Sequence, residues 1–177
     1  NAGTYKVTVT FKGNYSGSKA LSFKINPIKV TSKFKFSLSA TSYTYDGKVK
    51  SPSVTVKNAS GSKLTKNTHY TVTYASGRKN VGTYKVTIKM KGNYSGTKTL
   101  TFNILPGKTS KITATQTTTT LKETWNKVTG ATGYKVELLN SNGKVVKSVT
   151  TTKLTYTFSK LTAGTTYKVK VTAYKTI

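Results

Sequence analysis

One phrase occurs twice in this chain, and it limits the possible folds more than any other feature. Gly3–Ile25 reads GTYKVTVTFKGNYSGSKALSFKI, and Gly82–Ile104 reads GTYKVTIKMKGNYSGTKTLTFNI. Sliding the sequence by 79 residues lays Asn1–Pro27 on Asn80–Pro106 with 18 of 27 positions identical. That period is too long for a solenoid unit and suits a small β-sandwich domain. The chain is therefore expected to belong to a tandem array of modules.

The repeated phrase predicts a hairpin. Tyr84, Val86, Ile88 and Met90 alternate with Lys85, Thr87, Lys89 and Lys91, the period of two that gives a strand one apolar face. Turn-forming residues interrupt at Gly92-Asn93-Tyr94-Ser95-Gly96. Alternation then resumes with Leu100, Phe102 and Ile104 turned inward, until Pro106 ends it. Such a ribbon needs a second sheet over its apolar side. Asn1–Pro27 supplies only the hairpin and is expected to be the last two strands of a sandwich. Ile28–Pro106 is expected to be one full repeat. Within it Tyr45-Asp46-Gly47-Lys48 reads as a turn, Ser53–Val56 as a strand, and Tyr70, Val72 and Tyr74 as the inward phase of another strand.

Composition agrees with an all-β fold. Thr, Val and Tyr are abundant, and no segment keeps helical periodicity. Cysteine is absent, which excludes disulfides and thiolate metal sites. No stretch approaches the ~18 apolar residues of a membrane span, so membrane insertion is not expected. The sequence opens inside a repeat, so the lack of a signal peptide says nothing about secretion.

The words YDGKVKSPSVTV, HYTVTY and NVGTYKVTIKMKGNYSGTKTLTFNI resemble the bacterial Ig-like repeats of Gram-positive surface and secreted proteins. The resemblance covers Ile28–Pro106 and the hairpin before it. It departs at His69, where the family usually has an acidic residue. Gly107–Ser110 reads as a linker, and Lys111–Ile177 resembles a fibronectin type III domain. Leu121 and Trp125 take second-strand positions, and Tyr134, Val136 and Leu138 alternate. Leu154, Tyr156 and Phe158 share a strand, and the spacing of Leu161 and Tyr167 is similar to the family's tyrosine corner. The family pattern would carry one more strand after Ile177. The resemblance implies tandem Ig-like and fibronectin type III β-sandwiches in an extracellular protein, secreted or attached to a cell wall.

Catalytic chemistry has little to work with. The only carboxylates are Asp46, Glu123 and Glu137, and the only imidazole is His69. No nucleophile–His–Asp set, glycosidase pair, metal cluster or phosphate-binding glycine loop can be assembled from them. The segment is expected to be non-catalytic and to need no cofactor. His69 is placed on the polar phase of its strand, facing solvent. Glu123 shares a strand face with Leu121 and Trp125, where an apolar residue is expected. A lone buried carboxylate is costly, so an edge position reaching water or a lysine is the plain reading. Gram-positive adhesins, as a class, carry Lys–Asn isopeptide bonds promoted by a buried acid, and the resemblance implies that Glu123 is the candidate promoter.

Charge is the other strong signal: 30 basic residues against 3 acidic ones give a net +27, with Arg78 the single arginine. Lysines on the polar phase of strands blunt sheet edges, and together they attract polyanions. Tyr15 and Tyr94, at equivalent turns, with Arg78, Lys79 and Lys91, are the candidate contact surface, the alternative being that each tyrosine folds over the end of its hairpin. Nucleic acid is a poor fit, because a dispersed lysine coat offers only the non-specific, salt-sensitive term. Three roles follow: a spacer or stalk between other domains of a longer chain, an adhesion module for anionic cell-wall polymers or host glycans, and a self-associating filament subunit. The sequence leaves the oligomeric state open.

Overall fold

The computed structural model describes residues 1–176, and all regular secondary structure among them is β-strand. The chain divides into two compact units. The first gathers Asn1–Thr41, Pro52–Ala75 and Lys85–Thr101, and the second Ser42–Ser51, Ser76–Tyr84 and Phe102–Ile177.

The first strands are β1 (Gly3–Thr10) and β2 (Ser18–Ile25), antiparallel with Tyr5 opposite Phe23 and Val7 opposite Leu21. The rings of Tyr5 and Phe23 stack at 5.5 Å, and Phe11 N donates to Gly17 O at 3.0 Å to close the turn. Among the described residues no further strand joins this ribbon. There follow β3 (Ile28–Lys29), β4 (Lys35–Leu38), β5 (Ser42–Thr44), β6 (Val54–Lys57), β7 (Tyr70–Tyr74), β8 (Gly82–Met90), β9 (Tyr94–Ser95) and β10 (Thr97–Leu105). Their main sheet has the order β5-β10-β8-β7, with β4-β6 as a separate antiparallel pair. Phe34, Val56, Leu64, Tyr70, Ile88 and Met90 form the buried core of the first unit, with Leu100 packed against it. Each such side chain contributes about 1.5–3 kcal/mol by leaving water. The alternation expected along β8 is present: Val86, Ile88 and Met90 are buried while Lys85 and Lys89 are exposed.

The second unit carries β11 (Thr113–Gln116), β12 (Leu121–Thr124), β13 (Gly133–Asn140), β14 (Val145–Thr151), β15 (Thr155–Phe158) and β16 (Tyr167–Tyr174). They make two sheets, β11-β12-β15 and β14-β13-β16. Trp125, Val128, Tyr134, Val136, Leu138, Phe158 and Val171 close the core. Leu154 departs from expectation: it lies before β15 and is exposed. Tyr167 behaves as the corner spacing predicts, its hydroxyl accepting from Thr162 N at 3.4 Å.

Three further differences concern residues read as functional. His69 lies in the turn before β7 rather than on the strand, and it is half-buried. The Gly92–Gly96 segment is more than a turn, because β9 pairs in parallel with β3. Glu123 is not at an edge, since β12 is the middle strand of its sheet.

Candidate contact surface

The two equivalent tyrosines have different surroundings. Tyr15, at the tip of the β1–β2 hairpin, is 75 % exposed. Tyr94 is half-buried because β3 runs beside it: Ile28 N donates to Asn93 O at 2.8 Å and Val30 N to Ser95 O at 2.9 Å. Its ring meets Phe34 edge-on at 5.9 Å and His69 edge-on at 5.7 Å. His69 is fixed in turn, its Nδ1 accepting from Thr65 N at 2.9 Å. Tyr15 is thus presented to solvent, whereas Tyr94 caps the end of the first core. The KGNYSG words are identical, so no local signal distinguishes them. The deciding residues are Ile28–Val30, remote in sequence from Tyr94.

The basic candidates separate in the same way. Lys91 is exposed, with its backbone N donating to His69 O at 2.9 Å. Arg78 and Lys79 belong to the second unit, in a loop where Lys79 N donates to Gly77 O at 2.8 Å. Lys79 is exposed, while Arg78 is half-buried and its Nε donates to Ser51 Oγ at 3.1 Å. The structure therefore places Tyr15, Tyr94 and Lys91 in the first unit and Arg78 and Lys79 in the second.

The wider electrostatic surface is lysine. Every lysine is exposed except Lys50, which is half-buried and pairs with Asp46 at 2.5 Å. That hydrogen bond, with one from Lys48 N, holds the Asp46 carboxyl below its usual range. Glu137 is also held low, by Lys135 at 2.5 Å and Lys170 at 3.7 Å across the β13–β16 pair. Asp46 and Glu137 are thus already neutralised by lysines.

Glu123 is built differently. It is 3 % exposed, lies in register between Ala114 on β11 and Tyr156 on β15, and borders a cavity of about 470 Å³ that Gln116, Leu161, Tyr167 and Val169 also line. Among the described residues its carboxylate forms no ion pair, and burial pushes its pKa up. A protonated carboxyl relieves the desolvation that an ionised one would suffer. The sequence identified Glu123 as out of place but gave no means of placing β12 between two neighbours. No group of three His, Cys, Asp or Glu among the described residues could hold a metal ion.

The chain is similar in structure to titin domains, at 18% identity and a TM-score of 0.40, over 98% of this chain and 69% of that one. It is similar also to the FN1–FN3 domains of chicken CNTN1, at 14% identity and a TM-score of 0.39, over 97% of this chain and 72% of that one. No curated protein matches its sequence. Residues 106–177, which contain the sheets β11-β12-β15 and β14-β13-β16, match the fibronectin type III domain.

Proposed function

We propose that this is a non-catalytic segment of a secreted or wall-attached protein of a Gram-positive bacterium, with Ile28–Pro106 a bacterial Ig-like repeat, and that it serves as a spacer or stalk holding other domains of a longer chain away from the cell surface. The observation that carries this reading is the disposition of the polar chemistry. Asp46 and Glu137 are bound to lysines, Glu123 is buried, and His69 is engaged by Thr65 and Tyr94. No pair of these groups is set up as nucleophile and base, or as acid and base, around a substrate. Binding to the rest of the sandwiches' surroundings is then the business of their surfaces.

The exposed lysine coat supports a second reading, adhesion to an anionic polymer such as teichoic acid or an acidic glycan. Sedimentation of the chain with purified Gram-positive walls, with and without teichoic acid and across a salt series, separates the two. A spacer stays in the supernatant even at low salt. Sedimentation that requires the anionic polymer and fades as salt screens the charge would replace the spacer reading with adhesion.

A further inference from the structure

The β1–β2 hairpin carries an apolar face that no strand among the described residues covers. Tyr5, Val7, Val9, Phe11, Leu21, Phe23 and Ile25 remain 37–55 % exposed. Their counterparts in the second hairpin are Tyr84, Val86, Ile88, Met90, Leu100, Phe102 and Ile104. Five of those, Val86, Ile88, Met90, Phe102 and Ile104, are at most 5 % exposed. The face is the same in both copies, apart from Val9 for Ile88 and Phe11 for Met90, each an apolar exchange. The remaining differences avoid it, as at Ala20 for Thr99, Ser22 for Thr101 and Lys24 for Asn103, which belong to the opposite phase.

The chain also shows what covers such a face. Ile88, Met90 and Leu100 pack against Phe34, Val56, Leu64 and Tyr70, all of which come from the segment Ile28–Lys79. A cover of this kind on β1–β2 would take on the order of 600 Å² from the hairpin, and about twice that counting both sides. That lies at the lower bound of stable recognition surfaces.

Direct pairing of two β1–β2 faces is opposed by Lys19, which lies opposite Val9 and so shares the apolar face.

We propose that the apolar face of β1–β2 is an interaction surface for a half-sandwich polypeptide of the pattern of Ile28–Lys79, separate from the segment that covers β8–β10. The occupant offers apolar side chains in the places of Phe34, Val56, Leu64 and Tyr70. This surface is independent of the spacer and adhesion readings, and neither outcome of the wall assay bears on it.

The test is a fusion that places a further copy of residues 28–79 directly ahead of Asn1 of the full chain. The junction then reads Lys79–Asn1, where the native chain reads Lys79–Asn80. Hydrogen exchange at the amides of Val7, Val9, Leu21 and Phe23 is compared between the chain and the fusion. Exchange slowed by ~100-fold or more in the fusion, as expected of strands that enter a core, supports the proposal. Leu21→Lys in the fusion should abolish that protection while leaving β8 and β10 protected. Unchanged exchange in the fusion overturns the proposal. So does protection already present in the unfused chain together with a dimer mass, because the face would then be covering itself.

Discussion

The two hairpins are nearly the same peptide in two settings. In both, the alternation of Tyr, Val and a third apolar residue against Lys and Thr makes two strands, and in both the glycine-rich words close the turn. Yet Phe102 is 1 % exposed while Phe23 is 49 % exposed. Local sequence sets strand, turn and facing. Burial, and with it most of the stabilising free energy, comes from residues tens of positions away. A hairpin without its cover has little to hold it together in water.

The largest effect should come from truncating the same aromatic in each copy. Phe102→Ala should cost about 3–5 kcal/mol of unfolding free energy, because it opens a cavity in a packed core. Phe23→Ala should stay within about 0.5 kcal/mol, as substitutions on uncovered surface do. Urea unfolding followed by amide exchange in β8 measures both. Comparable losses would show that the first hairpin already shares a core.

The second unit repeats the contrast with two glutamates. Both are largely buried, but Glu137 sits between Lys135 and Lys170, whereas Glu123 has no cation within ion-pair distance among the described residues. Burial raises the folded-state pKa of Glu123, so the folded state holds its proton to higher pH than the unfolded chain does. The penalty is absent below the unfolded pKa, grows as pH rises toward the folded one, and is constant above it. Glu137 has the opposite sign: its folded pKa is lowered, so its contribution is present above the unfolded pKa and is lost as pH falls through the folded one. Glu123→Met should therefore stabilise the second unit at pH 7 by about 1–3 kcal/mol, the cost of an unpaired polar group held from water. The gain should shrink as pH approaches 4. Trp125, the single tryptophan and part of the same core, reports this unfolding by fluorescence. A gain independent of pH would mean that the carboxylate is solvated in the folded state.

These cases show how far the sequence could be read. Period-two alternation located β8, β10, β13 and β16, and the facing of Tyr70, Tyr134 and Val136, because those patterns are local. The Leu161 and Tyr167 spacing located the corner for the same reason. The different fates of Tyr15 and Tyr94 could not be read, since the two share their neighbours from Lys12 and Lys91 to Gly17 and Gly96. The cause is the parallel pairing of Ile28 with Tyr94, a contact between distant positions. His69 was misplaced because it ends the turn before β7, while its position in the sequence continues the alternation of that strand. For Glu123 the facing was legible, and its place in the strand order was not.

Tyrosine truncation at the two turns sharpens the comparison at intermediate size. Tyr94→Ala removes edge contacts to Phe34 and His69 and should cost about 1–2 kcal/mol, while Tyr15→Ala should change nothing beyond about 0.5 kcal/mol. Thermal unfolding of the two variants under one buffer suffices. Equal effects would mean that Tyr15, too, finds a cover in solution.

The smallest difference should lie at the paired glycines that close the turns. Gly17 and Gly96 have φ of +101° and +114°, so alanine is strained at both. At Gly96 an added Cβ would also come within 3.3 Å of Val30 Cβ, whereas at Gly17 it would meet nothing within 4 Å. Gly96→Ala should cost about 1 kcal/mol, because β9 and β3 hold the turn against relaxation. At Gly17 the same strain can be released by fraying a ribbon whose apolar face is uncovered, so global stability should not move. Chemical unfolding of Gly17→Ala thus measures whether β1–β2 is coupled to the rest of the unit. A loss matching that of Gly96→Ala would show that the hairpin unfolds with the core despite lying outside it.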